Sequence, residues 1–387
     1  MPEAVIVDAV RTPIGRAFKG SLAQLRPDEV GAHTVDQLLE RHPDVAPDSV
    51  EEVYCGCGMP QGLQAFNIGR IIVLLSDKLP ETTNGSTISR YCASSLEAIR
   101  VAANAVKVGQ GDTYVAAGVE WVSRYNERTE PAGEADQNEK LQGKDGQPDA
   151  YIAMGLTAEN VADRYEVSRA DMDKYAQRSQ ELAVASQESG FFDREIVPVP
   201  LPDGGEAAKD DGPRASSTLE KLSQLEPAFR PDGKVTAGNS CPLNDGAAAV
   251  LVMSDERAKE LGLTPRARIV TAATFGNEPE YMGVAPIGAI KKVLDRAQMK
   301  IDDVDTVELN EAFAAQVIPI MDECDIPLDK LNTHGGAIAL GHPFGQTGAR
   351  IMTTLLNVME TEDHQVGLET MCVAGGQGEA MIVERLN

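Results

Sequence analysis

The stretch Asn332–Arg350, NTHGGAIALGHPFGQTGAR, carries one of five histidines, His342, between Gly341 and Pro343, with Gly335, Gly336, Gly345 and Gly348 around it. Glycines this dense permit backbone torsions and close approaches that side chains forbid. Ala337–Leu340 reads as a short buried strand and Thr347–Val358 as a helix. His342 then falls in a strand-to-helix loop, where α/β enzymes tend to place their chemistry. The plainer alternative is a tight turn with an incidental histidine. A second reactive type stands in SRYCASSLEAI, where Cys92 precedes the expected helix Ser95–Val108. Free N–H groups and the dipole at such a terminus favour a thiolate and lower its pKa. A lone cysteine is more often an inert buried thiol; a histidine able to take its proton changes that reading, because a Cys–His couple is how a thiol is activated. A third candidate, Cys372, opens CVAGGQG, ahead of a glycine turn whose N–H groups could hold an oxyanion.

The elements that must position these residues come in two similar sets. Ala4–Asp8 and Ser49–Gly56 read as strands around an amphipathic helix, Pro27–Arg41, with Val30, Val35, Leu38 and Leu39 on one face. After Pro265 the order recurs as strand Arg268–Ala272, helix Ile287–Arg296 and strand Val304–Leu309. Aligning Val53 with Val307 gives an offset of 307 − 53 = 254; Cys92 with His342 gives 342 − 92 = 250; Ala117 in YVAAGV with Ala374 in MCVAGG gives 374 − 117 = 257. Three offsets this nearly constant indicate an internal repeat of alternating strand and helix. Between the halves, Glu120–Lys234 holds polar stretches such as Pro131–Pro148 and Pro198–Pro213, and helical patterns over Leu156–Tyr165 and Arg169–Ser189. Such a long insertion is expected to fold over the site. Val235–Ser254 returns to strand-rich core.

Together, YCASSLEAI, NEAFAA, GGAIALGHPFGQTGAR and CVAGGQG resemble the four signature segments of the thiolases, and VTAGNSCPLNDGAAAV and MGLTAENVA resemble further segments of that family. The likeness runs from about Val5 to Ile382. It implies an α/β thiolase fold in which two homologous halves form a layered α-β-α-β-α core with an inserted loop domain. The expected boundaries are 1–119 with 235–264 for the first half, 120–234 for the insertion and 265–387 for the second half. It also implies acyl transfer between acyl-CoA and acetyl-CoA, with Cys92 as the acylated nucleophile. His342 would activate Cys92 and donate to a thioester oxygen. Asn310 would orient a water beside it, and Cys372 would be the base that removes the α-proton of acetyl-CoA. The backbone N–H groups of Cys92 and Ala374 would form the other oxyanion hole. By the same resemblance Met154, Ala237, Ser240 and Phe313 would line the pantetheine tunnel and Arg214 would approach the adenine nucleotide, with Lys221 in the same segment.

The chain departs from the family at three places. Cys241 stands where Ser is common, Ala374 where Gly is common, and Ala153 where acetoacetyl-specific members tend to carry His. YCASS and Ala153 lean towards longer or varied acyl groups. The runner-up activity is a narrow acetoacetyl-CoA-forming thiolase. A non-catalytic lipid-carrier-like relative is disfavoured by the presence of Cys92, His342, Cys372 and Asn310 together.

Composition sets the outer limits. The chain has 387 residues, 42% of them hydrophobic, enough for two or three domains with a large core. The N-terminus has no signal-peptide pattern, and no apolar run is long enough for membrane insertion. Six cysteines without a CxxC pair argue against a zinc ribbon and a disulfide framework, and free thiols suit a reducing cytoplasm. No metal and no permanently bound cofactor is expected; CoA, acetyl-CoA and acyl-CoA enter as substrates. The family resemblance also implies a homodimer or homotetramer. A net charge of −25 argues against nucleic-acid partners, and it suits a cytoplasm of high salt. At molar salt the screening length falls to about 3 Å, which removes most self-repulsion. The melting temperature is therefore expected to rise between low and molar salt; a flat or falling value sinks that reading.

Overall fold

The computed structural model describes residues 2–125, 127 and 133–386. Pro131 and Ala132, which open the first polar stretch, lie outside the described residues. The strand Thr113–Trp121 illustrates the local logic. It is buried along its whole length, with Val115, Ala117, Val119 and Trp121 entering one core cluster and Tyr114 and Ala116 another. That is the period-two alternation of a strand covered on both faces.

The main strands run in the order Thr306–Leu309, Val366–Val373, Gln377–Arg385, Ala267–Gly276, Ala4–Arg11, Asn244–Ser254, Thr113–Trp121, Glu52–Gly56 and Asn84–Ile88. The two halves meet at a seam of only two residue pairs, Val5 with Arg268 and Ile6 with Ala267. Outward from this seam each half repeats one pattern of two antiparallel pairings followed by a parallel one. The first half adds Asn84–Ile88 at its edge. In the second half, a single parallel bridge between Val307 and Leu331 takes that place.

Helices fill three layers around the two half-sheets. Pro27–Glu40 and Ile68–Leu75 cover the outside of the first half. Ala285–Ala297 and Ala314–Glu323 cover the outside of the second, together with Met154–Arg164 and Arg169–Glu188 from the intervening segment. Ser94–Lys107 and Thr347–Thr361 lie between, packed on residues of both half-sheets. The result is the α-β-α-β-α layering expected from the sequence.

The two central helices touch at their N-terminal ends. A Cβ on Gly348 would overlap the backbone nitrogen of Leu96, and Ala349 N–H donates to Ser95 Oγ at 2.9 Å. The glycine therefore sets how closely the loops preceding the two helices approach. Those are the loops of Cys92 and His342.

Two readings of the sequence need correction. Ala337–Leu340 is a short helix, not a strand; an apolar run of four has no periodicity to separate the two. The spacing explains the extra turn. Gly85 and Leu331 both pair with the corresponding residues Val53 and Val307, but Cys92 follows Gly85 by 92 − 85 = 7 residues and His342 follows Leu331 by 342 − 331 = 11. The second half accommodates the additional four residues as a helical turn. The ladders also equate Ala117 with Thr370, since Val115 pairs with Val53 and Leu368 with Val307. The offset is 370 − 117 = 253, so the alignment of Ala117 with Ala374 slips by four residues.

Gly348→Ala is expected to lower unfolding stability by about 1–3 kcal/mol, the usual cost of overpacking, and to reduce activity, because the contact it disrupts positions both loops. Urea denaturation and steady-state assays check this; an unchanged midpoint would show that the central helices can move apart freely.

Candidate active site

Cys92 lies in the turn Tyr91–Ala93, which leads directly into Ser94–Lys107. Tyr91 turns the chain with a left-handed φ of 42°. Ser94 fixes the turn, donating from Oγ to Tyr91 O at 2.6 Å and accepting from Arg90 N–H at 2.9 Å. Cys372 is the penultimate residue of Val366–Val373. Cys241 precedes Asn244–Ser254, and its N–H donates to Ala312 O at 2.9 Å. The three sulfurs are close enough to act on one another electrostatically.

Burial pushes all three thiols up. Cys92 rises well above the ordinary thiol range, Cys241 to about 12 and Cys372 to about 11. The thiolate expected of Cys92 from its helix N-terminus is thus overruled, because desolvation of the charged form outweighs a partial dipole charge. The backbone N–H of Ala374 is near enough to the Cys92 sulfur to lower it against its burial. Left-handed torsions fall on the next two residues, Gly375 (φ 79°) and Gly376 (φ 78°), and not on Ala374. An alanine with its Cβ therefore fits the position.

His342 is buried and bonded at both ring nitrogens. Thr347 Oγ1 gives its only proton to Pro343 O at 2.7 Å. The 2.6 Å contact between Thr347 Oγ1 and His342 Nδ1 must then be a bond donated by Nδ1–H. That tautomer leaves Nε2 as an acceptor facing Asn310 Nδ2 at 3.3 Å. Burial, together with the positive charge of Arg350, lowers the imidazole to about 3, so it is neutral at physiological pH. Asn244 Oδ1 accepts from the His342 backbone N–H at 3.0 Å, and its Nδ2 donates to Gly15 O at 3.0 Å.

Asn310 continues the network. It follows Thr306–Leu309, and its N–H donates to Thr370 O at 3.0 Å. Its carbonyl accepts from Gln316 Nε2 at 3.3 Å, and the same nitrogen lies 3.2 Å from Cys372 Sγ. Glu120 laces the surrounding loops, accepting from Gly58 N–H (2.7 Å), Met59 N–H (3.3 Å), Gln64 Nε2 (2.7 Å) and Gly345 N–H (2.8 Å).

A cleft of about 530 Å³ reaches this centre at Cys241. Arg214, Ala237, Ser240 and Lys221 line it, as does Arg16, which nothing in the sequence pattern singled out. Arg214 is held below the ordinary guanidinium range by burial and by the like charge of Arg16. The cleft thus gathers cations in a chain of net charge −25. Met154 and Phe313 stand behind its wall. The Phe313 ring meets Phe229, a lining residue, edge-on at 6.0 Å. Met154 is partly buried against the second-half core, and Phe229 packs on the adjacent Gly155.

Gln316, Asn244, Thr347 and Glu120 escaped the sequence reading. Their only local signal is a polar residue interrupting an apolar run, as in AAQVIPIM or YVAAGVEW, and a satisfied core polar group gives the same signal.

Comparison with known proteins follows the same lines. Residues 4–256 match the thiolase N-terminal domain and residues 263–385 the thiolase C-terminal domain. The chain is 42% identical to a beta-ketoadipyl-CoA thiolase of Acinetobacter baylyi and 42% identical to a 3-ketoacyl-CoA thiolase of Photobacterium profundum, with 100% of each chain covered in both cases. The structure matches the crystal structure of the Bacillus anthracis acetyl-CoA acetyltransferase with a TM-score of 0.91 at 38% identity, covering 100% of this chain and 99% of that one. It matches the dimeric peroxisomal thiolase of Saccharomyces cerevisiae with a TM-score of 0.93 at 38% identity, covering 100% and 98%. With both domain models matched in order and full-length relatives well above the threshold of common ancestry, this chain belongs to the thiolase family.

Proposed function

We propose that this enzyme exchanges acyl groups between acyl-CoA and acetyl-CoA through a covalent acyl-cysteine, cleaving 3-ketoacyl-CoA or forming it by the reverse Claisen condensation, over a broad range of chain lengths. The observation that carries this reading is the convergence of Cys92, Cys372 and the Asn310–His342 pair at one buried centre, with a cationic cleft leading to it.

His342 Nε2 takes the Cys92 proton, and the sulfur attacks the thioester carbonyl. The departing CoA sulfur recovers that proton, leaving Cys92 acylated. Cys372, once it has lost its own proton to solvent, acts as a thiolate and removes the α-proton of acetyl-CoA. The resulting carbanion attacks the acyl-cysteine, forming the carbon–carbon bond and releasing the Cys92 sulfur as a thiolate, which takes up the proton that Cys372 removed. The N–H groups of Cys92 and Ala374 hold the oxyanion on the acyl-cysteine. The enolate oxygen of acetyl-CoA faces a water on Asn310, whose buried Oδ1 has no partner among the described residues. Each such donor is worth roughly 2.7–4 kcal/mol in the transition state.

The insertion, 120–234, supplies most of the CoA contacts. Arg16, Arg214 and Lys221 meet the phosphates, and exposed Leu243 and Phe229 give the cleft an apolar rim. The edge strand Asn84–Ile88 pairs on one side only among the described residues, and Phe66 nearby is 90% exposed. This suits a homodimer or homotetramer built on that edge. Among the described residues no helix is long and apolar enough to cross a membrane.

Cys92→Ala is expected to abolish CoA-dependent loss of acetoacetyl-CoA enolate absorbance; retained turnover would falsify the assignment of the nucleophile. Activity on eight- and ten-carbon ketoacyl substrates comparable to that on the four-carbon one supports broad specificity, whereas activity confined to four carbons favours the narrow biosynthetic reading. Because both sulfurs are thiols at neutral pH, inactivation by iodoacetamide is expected to accelerate about tenfold per unit between about pH 7 and 9. A rate constant across that window would indicate a preformed thiolate–imidazolium pair.

A further inference from the structure

The assigned base must hold its sulfur in one place both as thiol and as thiolate, and buried surroundings favour only the thiol. Gln316 offers a partner for each form. It stands in the first turn of Ala314–Glu323 and is fully buried. One hydrogen of its Nε2 goes to Asn310 O at 3.3 Å, which identifies the nitrogen end of the amide, since a carbonyl can only accept. The other is directed at Cys372 Sγ at 3.2 Å, and Oε1 lies 3.3 Å from the same sulfur. The Gly283 backbone packs close to the base of the side chain, where an added Cβ would lie 3.0 Å from Gln316 Cβ.

We propose that Gln316 is the positioning residue for the base. Its carbonyl oxygen accepts from the Cys372 thiol, its N–H donates to the thiolate, and the sulfur stays on one line to the substrate α-carbon through each proton transfer. This rests on the reading of Cys372 as the base. The Gln316 bond lowers the Cys372 thiol against its burial, and that sulfur stays below Cys241, which has no such amide among the described residues.

The test separates the two half-reactions. Gln316→Leu keeps the bulk and removes both polar contacts. Acetylation of Cys92 by acetyl-CoA, followed by mass spectrometry, should proceed within about twofold of the parent rate. Deuterium exchange into the methyl group of acetyl-CoA should fall about tenfold or more, with the alkaline limb of its pH profile displaced upward by about one unit, the equivalent of one hydrogen bond to a charged group. Gln316→Glu, which keeps the shape but replaces the donor by an acceptor, should move the limb at least as far. Exchange and pH profile unchanged in both variants would overturn the proposal. So would a parallel loss of acetylation and exchange in both, which marks a merely structural role. Cys372→Ala tests the underlying reading independently: persistent exchange in that variant removes Cys372 as the base, whatever Gln316 does.

Discussion

The carboxylate of Glu120 is the fixed point on which the geometry of the site depends. A buried carboxylate is costly unless its lone pairs are filled, and Glu120 fills them with donors from three separate segments: Gly58 and Met59, Gln64, and Gly345. Gly345 belongs to the His342 loop, and Gly58 lies against Tyr91 O beside Cys92. Loops from the two homologous halves are therefore held against each other by one charge that cannot leave without exposing four unpaired groups. The contact of Gly348 with Leu96 does the same through packing. One constraint is polar and one steric, and they meet at the junction of the two central helices.

Within that frame, dryness determines the chemistry. Desolvation leaves the thiols protonated and the imidazole neutral, so the resting centre carries little charge of its own. In the proposed reaction, charge develops only when substrate arrives, and it develops where preplaced N–H groups and an amide already point. Such donors are far more effective in a water-excluded site than in solution, and they need no reorganisation at the moment of reaction. The Nδ1–H tautomer of His342, imposed by Thr347 and Pro343, belongs to this arrangement because it leaves the Nε2 lone pair towards Asn310.

Much of this was legible in the chain itself. The layered fold follows from the repeat of strand and helix patterns, and the segments around Cys92, Asn310, His342 and Cys372 stand out by residue type and order. Three things were hidden, each for a physical reason. The four residues Ala337–Leu340 are too few to show a period, so a helical turn passed for a strand. The correspondence of Ala117 with Thr370 depends on ladder register, which hydrophobic pattern alone leaves free by several residues. The supporting groups Gln316, Asn244, Thr347 and Glu120 become recognisable only when tertiary contacts reveal what they hold. The thiolate inferred for Cys92 failed because a helix terminus is a local feature, whereas burial belongs to the whole fold.

The placement of Arg16, Arg214 and Lys221 on one cleft has a further consequence in a molecule of net charge −25. Seen from afar, the protein repels a polyphosphate ligand; attraction takes over only within about one Debye length of the cleft, roughly 8–10 Å at moderate ionic strength. Approach and retention therefore respond to salt with opposite signs. Added ions lower the outer barrier and hasten encounter, while they weaken the grip of the cations once the ligand is seated. The cleft thus trades dwell time for capture rate as the medium becomes saltier, with no change in any contact between protein and ligand.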